Sequence, residues 1–326
     1  MTIARSLGGR NVAAIGLGCM NLSHAYGTPP SADQGAKLLL RALDLGVDHF
    51  DTATLYGFGA NEELVGATLS PYRQRFFLAS KCGIGAVDGV RVIDGRPETL
   101  KRACLESLRR LRTDVIDLYY LHRWDKKIPI EDSVGALADM VKAGHLRSIG
   151  LSEVSPATIR KAHAVHPIAA VQNEYSLWTR NPEGGVLETC RAIGATLVAF
   201  SPLGRGFLAG SARTADELQP KDLRRGMPRF QEPNFLHNLE LLTRYRELAS
   251  QASCTPAQLA LAWLLQKAPH VVPIPGTTSI AHLEENLAAS KVQLDRSLVG
   301  QLESLINDAT VHGNRYPPQT LQEIDS

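Results

Sequence analysis

Several features are scarce in this chain of 326 residues, and each scarcity excludes something. Cys19, Cys82, Cys104, Cys190 and Cys254 are odd in number and widely spaced, with no C-x-x-C. That pattern argues against a disulfide framework and predicts reduced thiols in a cytoplasmic setting. No stretch of 18 apolar residues occurs, so no membrane span is expected. The N-terminal MTIARSLGGRNVAAIGLGCM has one early Arg and a short apolar stretch broken by Gly and Asn, a poor secretory signal. Charge of one sign is also missing. With 35 Lys+Arg against 33 Asp+Glu the net charge is +2, which gives no broad footprint for nucleic acid. The basic clusters are short: Arg109-Arg110-Leu111-Arg112 suits a helix C-terminus, and Arg224-Arg225 stands alone. No strand-like run is followed by G-x-G-x-x-G and a later acidic residue, which argues against a doubly wound dinucleotide fold. No H-x-H or carboxylate cluster sits where strands should end, so no metal is expected.

What is present is an alternation. With 44% hydrophobic residues the chain can bury a large core. Short apolar runs rich in Val, Ile, Leu and Phe occur at 47–51, 75–81, 115–122, 147–152, 168–172, 195–201 and 271–275, as strands covered on both faces should. Amphipathic segments lie between them, clearest at 33–45, 98–111 and 132–143. Pro97-Glu98 and Ser155-Pro156 suit first helical turns, and Gly46 and Gly144 suit positions just past a helix end. An eighth strand is needed near Ile15–Cys19. Eight units predict an α/β fold, a single parallel (β/α)8 TIM barrel over 1–326, with an extra C-terminal helix and long loops at the C-terminal face. Two segments interrupt the alternation: a basic stretch at 203–233, carrying Arg205, Arg213, Lys221, Arg224, Arg225 and Arg229, and a polar tail at 307–326. Long loops of this kind often act as lids.

Barrel enzymes place their chemistry at strand C-termini. The runs here end at Asp51, Lys81, His122, Ser152-Glu153, Gln172-Asn173 and Phe200-Ser201, with Tyr56 five residues past the second strand. Each residue alone has an ordinary explanation: Asp51 satisfying loop amides, Lys81 reaching solvent, His122 hydrogen-bonded in the core, Tyr56 packing. Their joint placement favours chemistry. A phenol, with a pKa of about 10, is a poor acid at neutral pH. An adjacent ammonium should lower that pKa. A carboxylate would hold the ammonium charged, and an imidazole would hydrogen-bond the substrate oxygen. Together they form a proton donor for a carbonyl that accepts a hydride.

The chain resembles the aldo-keto reductase superfamily over nearly its whole length. The resemblance is carried by His49-Phe50-Asp51-Thr52-Ala53-Thr54-Leu55-Tyr56-Gly57, Ala79-Ser80-Lys81, Leu118-Tyr119-Tyr120-Leu121-His122-Arg123, Gly150-Leu151-Ser152-Glu153, Val171-Gln172-Asn173-Glu174-Tyr175, Ser201-Pro202-Leu203-Gly204-Arg205-Gly206 and Ile274-Pro275-Gly276-Thr277. It implies a catalytic tetrad of Asp51, Tyr56, Lys81 and His122, with Tyr56 the general acid. It implies a nicotinamide cofactor extended across the mouth. Met20 and Asp51 would contact the cofactor, and Ser152 and Gln172 would hold its carboxamide with Glu153, where many members have Asn, beside them. Phe200 would stack on the ring. Ser201, Leu203 and Gly206 would line the pyrophosphate beneath a closing loop at 204–230. Gly276, Thr278, His282, Glu285 and Asn286 would receive the adenosine end, with a helix at 280–289 presenting its N-terminus to the 2′-phosphate.

This chain has Thr278, Ser279, His282 and Ser211 where relatives often carry a cation or, at His282, Arg or Gln. Lys221, Arg224 or Arg225 would then have to compensate. NADP(H) is the expected cofactor, with NAD(H) the alternative. The expected partner is a small carbonyl or alcohol substrate, with pocket walls from 20–26, Trp124, Trp178, Phe230 and Tyr316. A monomer or weak homo-oligomer is expected. The competing role is a cofactor-bound regulatory subunit resembling the potassium-channel β subunits.

Overall fold

The computed structural model describes residues 4–87, 90–210 and 214–325. Strands β1 (Ala4–Leu7) and β2 (Arg10–Ala13) form an antiparallel hairpin. Strand β3 (Leu17–Gly18), helix α1 (Ala32–Asp44) and strand β4 (His49–Asp51) open the alternation. After α2 (Ala60–Leu69) come β5 (Phe77–Cys82) and a second hairpin, β6 (Ile84–Val87) and β7 (Val90–Ile93). Then follow α3 (Pro97–Leu111), β8 (Leu118–Leu121), α4 (Ile130–Lys142), β9 (Ile149–Ser152), α5 (Pro156–Val165), β10 (Ile168–Glu174), α6 (Val186–Ile193) and β11 (Thr196–Phe200). Helices α7 (Asn234–Gln251) and α8 (Pro256–Lys267) precede β12 (Val271–Pro273). The chain continues through α9 (Ile280–Ala288), α10 (Arg296–Leu305) and the short α11 (Pro318–Gln322).

Eight strands form one parallel sheet, ordered β12-β11-β10-β9-β8-β5-β4-β3. Its edges meet through the amides of Gly16 and Gly18, which donate to the carbonyls of Pro273 (3.0 Å) and Pro275 (3.2 Å). The sheet is therefore the predicted (β/α)8 barrel. Gly18 has to be glycine at that closure: a Cβ there would stand 2.8 Å from the Ile274 carbonyl oxygen.

Strand parity decides which side chains enter the barrel. Leu118, Tyr120, Phe77, Ala79, Ala170 and Val198 pack together inside, closed below by Leu7 and Val12 of the first hairpin. Their neighbours Phe76, Leu78, Cys82, Tyr119, Leu121, Val171, Leu197 and Ala199 belong to the outer cluster beneath the helices. The hairpin's plugging role was not anticipated from its polar sequence. It is fixed by Thr196 Oγ1 donating to the Ser6 carbonyl (2.6 Å) and by the Ala13 amide donating to Asp48 (2.7 Å).

The helices follow their local signals. Helix α1 starts in a reciprocal capping box between Ser31 and Gln34, buries Leu38, Leu39, Ala42 and Leu43, and stops before Gly46 (φ +90°). Helix α8 repeats the box with Thr255 and Gln258, with Pro256 in its first turn. The stretch at 203–233 has more local structure than expected. Short 3₁₀ turns occupy Gly204–Ala209, Ala215–Glu217, Leu223–Gly226 and Pro228–Phe230. Ser211 and Arg213 lie outside the described residues. Among those described, no helix is long and apolar enough to cross a membrane.

Candidate active site

Parity carries the polar side chains into the mouth. Interior Ala79 is followed two residues later by Lys81, Tyr120 by His122, Ala170 by Gln172 and Val198 by Phe200. The expected strand ends are off by a residue or two. Lys81 lies inside β5, His122 just past β8, and Gln172 inside β10. The facing direction holds, because it depends only on counting by two.

Lys81 is completely buried, and its ammonium has three acceptors. It donates to Asp51 Oδ1, to the Thr52 carbonyl (2.8 Å) and to the Tyr56 hydroxyl oxygen (3.0 Å). Asp51 Oδ2 accepts from Gln172 Nε2 (2.8 Å). Burial works against the Lys81 charge, but Asp51 and Tyr56 outweigh it and raise its pKa. The His122 ring stands edge-on to Tyr56, 5.9 Å between centroids, and its Nδ1 is buried without a partner. Burial, then the Lys81 and Arg123 charges, push His122 far below the usual imidazole range, so it is neutral at physiological pH. The four expected side chains therefore meet.

Tyr56 corrects one expectation. Its pKa is raised, not lowered. The Lys81 charge does act downward, but burial is the larger effect and Asp51 adds to it. The phenol is thus held protonated, with its oxygen accepting from Lys81.

The loop bearing Tyr56 is shaped by buried polar groups that were not anticipated. Gly57, Phe58 and Gly59 are all left-handed (φ +60°, +49° and +102°). Asn61 receives the Thr52 hydroxyl (2.6 Å) and donates to the Cys19 carbonyl (2.8 Å). Glu62, fully buried, pairs with Arg110 at 2.7 Å and accepts from Ser80 at 2.5 Å. The only signal in the sequence was an Asn-Glu pair at the start of a helix.

Met20, Asp51, Tyr56, Gln172 and Phe200 line a single cleft. Ser201, Leu203 and Gly206 line the same cleft, and so do Gly276, His282, Glu285 and Asn286. Four candidates are not among its lining residues: Lys81, fully buried against Asp51 and Tyr56, His122, Ser152 and Thr278. Ser152 is buried behind the wall, its Oγ accepting from Arg123 (3.2 Å). Thr278 faces an adjoining groove beside Lys37 and Ile280. Helix α9 is capped by Ser279, which accepts from the His282 amide, and the first turn of this helix adjoins the cleft.

The long loop is fastened over the cleft by contacts to the segment after β3. Tyr26 and Asp222 form an antiparallel bridge, and the Leu223 amide donates to the Ala25 carbonyl (2.9 Å). Arg224 is spent on Asp222 (2.7 Å), on the Arg205 carbonyl and on the Tyr26 ring. Arg225 donates to the Leu218 carbonyl. Both guanidiniums therefore help hold the loop, and Arg224 also lines the cleft. Trp178 stacks on Phe207 (4.1 Å) and meets Phe230 edge-on, so this pair packs beneath the loop. Trp124 donates to the Ile128 carbonyl.

Two further buried ion pairs adjoin the site. Glu153 (φ +56°) is held by both Nη atoms of Arg315, from the tail, and accepts from the Glu174 amide. Its carboxylate is thus committed to the tail, which accounts for an acid where the family often has Asn. Glu174 pairs with Arg205 (2.8 Å), which also donates to Tyr316 (2.9 Å).

The model of the Aldo/keto reductase family matches residues 14–307. The chain is 44% identical over 321 residues to aldo-keto reductase yakc [NADP(+)] of Schizosaccharomyces pombe, covering 96% of this chain and 94% of that protein. It is 42% identical to probable aldo-keto reductase 1 of Glycine max, covering 94% and 89%. Among solved structures, a glycerol dehydrogenase from Gluconobacter oxydans superposes with a TM-score of 0.86 at 27% identity, covering 97% and 98%. An aldo-keto reductase from Klebsiella pneumoniae in complex with NADPH gives 0.73 at 27%, covering 100% and 99%.

Proposed function

The chain belongs to the aldo/keto reductase family of NAD(P)H-linked oxidoreductases, and from that premise we propose that it interconverts a ketone or aldehyde with the alcohol, using NADP(H), with Tyr56 moving the proton. The cofactor, when bound, supplies one hydride to the carbonyl carbon. The observation that carries the reading is the Lys81 ammonium bonded at once to Asp51 and to the Tyr56 oxygen, both of which line the cleft.

Because Lys81 donates to that oxygen, the phenol's own hydrogen is free to be given to a substrate oxygen. The phenolate left behind sits beside a charge already in place, so no reorganisation is required. Neutral His122 hydrogen-bonds the same substrate oxygen. Gln172, its Nε2 committed to Asp51, keeps its carbonyl oxygen to accept from a carboxamide N–H.

The rest of the cleft fits a dinucleotide. Ser201, Gly204, Arg205 and Gly206 all have positive φ (48°, 56°, 57° and 93°), a concave backbone of the kind that binds anions. The α9 N-terminus, with its amides and His282, suits a second phosphate. NADP(H) is supported by the yakc relative, which is named for NADP(+), and by the Klebsiella pneumoniae neighbour in complex with NADPH.

The test follows loss of reduced-nicotinamide absorbance with a panel of aldehydes and ketones. NADPH-dependent turnover that collapses in Tyr56→Phe is expected. Tight NADPH binding with no turnover on any carbonyl overturns the reading.

A further inference from the structure

One charged side chain beside the reacting groups has no counterpart. Arg123 follows His122 and is only 8% exposed. Its Nη1 donates to the His122 carbonyl (2.7 Å) and to Ser152 Oγ (3.2 Å), both neutral acceptors. Its Nε is buried without a partner. Among the described residues no carboxylate lies within ion-pair distance of it. The neighbouring carboxylates are already committed, Glu153 to Arg315 and Glu174 to Arg205. Arg229, close to the same network, donates only to neutral oxygens of Trp178, Thr179 and Gly313. Four arginines thus stand against two acids at this side of the mouth.

A buried guanidinium without an anion is costly, because desolvation is not offset by a partner. Carbonyl reduction by Tyr56, Lys81 and His122 does not itself require it. A guanidinium offers paired N–H donors that match a carboxylate, and the Nε side of Arg123 is uncommitted. Arg123 is also tied to the reacting groups by geometry: it bonds the carbonyl of His122, whose ring stands edge-on to Tyr56.

We propose that Arg123 is the substrate-anion site, and that the preferred substrates are carbonyl compounds bearing a carboxylate. This rests on the carbonyl-reduction reading above and deepens it. The carboxylate completes the Arg123 charge, and in doing so it fixes the carbonyl between Tyr56 and His122. Arg123 is then a specificity-determining residue.

The experiment compares 4-carboxybenzaldehyde with its methyl ester, which differs chiefly in charge. Wild type should reduce the acid with at least tenfold higher kcat/KM. Arg123→Gln should reduce that acid-to-ester ratio at least tenfold, chiefly through KM, and Arg123→Lys should restore part of it. A wild-type ratio near one overturns the proposal. So does an equal loss for acid and ester in Arg123→Gln, or a loss explained by a raised KM for NADPH, since either would make Arg123 a support for Ser152 and the cofactor. If Arg123→Gln does not fold, the wild-type ratio at low and high salt decides: it should fall with salt, and constancy overturns the proposal. If NADPH binds but neither aldehyde is reduced, carbonyl reduction is what fails. Anion capture is then read from benzoate quenching of bound-NADPH fluorescence, expected in wild type and weakened but not abolished in Arg123→Lys; no quenching in wild type overturns it.

Discussion

Lys81 Nζ stands 3.0 Å from the Tyr56 hydroxyl oxygen, and its other two protons are given to Asp51 and to the Thr52 carbonyl. An ammonium has three protons, so none is left for substrate. Lys81 therefore acts by holding a charge beside the phenol, and Tyr56 is left as the proton donor. This division of roles follows from counting donors.

Tyr56→Phe removes the proton donor and leaves the ring. A loss of about 10²–10⁴ in kcat is expected, the usual worth of a placed acid. NADPH affinity, followed by fluorescence titration, should change little. Activity near wild type would refute the assignment of Tyr56.

His49 makes stability sensitive to acid. It is fully buried beneath Asp51, both ring nitrogens lack partners, and burial lowers its pKa to about 4. The unfolded chain binds that proton first, at about pH 6.5. The contribution is therefore complete above pH 6.5 and is lost as pH falls towards 4, at about 1.4 kcal/mol per pH unit. His122 acts in the same direction. Thermal midpoints measured between pH 4 and 7 should fall less steeply for His49→Phe than for wild type. Parallel curves would contradict this.

The tail depends on the buried pair Glu153–Arg315. Glu153→Gln leaves Arg315 buried beside a neutral amide, and a loss of about 3–5 kcal/mol is expected from urea unfolding. Adding Arg315→Met should recover part of it, because the stranded charge is gone. Additive losses would show that the two residues act separately.

No Lys or Arg lies on the first turn of α9, proposed above to meet a phosphate, only the amides, hydroxyls and His282. His282→Arg should tighten NADPH by about tenfold, in line with one charge-assisted bond of about 1.5–3 kcal/mol, and should leave NADH nearly unchanged. Equal gains for both cofactors would place the 2′-phosphate elsewhere.

The barrel and the facing of its polar residues can be read from the order of the residues alone. Buried strands have a period of two, so once Ala79 and Tyr120 face inward, Lys81 and His122 must follow. Boundaries were less legible, because strand ends depend on neighbours: β10 runs to Glu174 where 172 was expected. The rest came from long-range packing. It set the pairing of Glu153 with Arg315, 162 positions away, which no local pattern encodes. It also set the bonds of Ser152 with Arg123 and of Arg224 with Asp222. It also decided the sign of the Tyr56 shift. The Lys81–Tyr56 attraction could be anticipated from the residues, but the burial that outweighs it depends on the whole enclosing barrel.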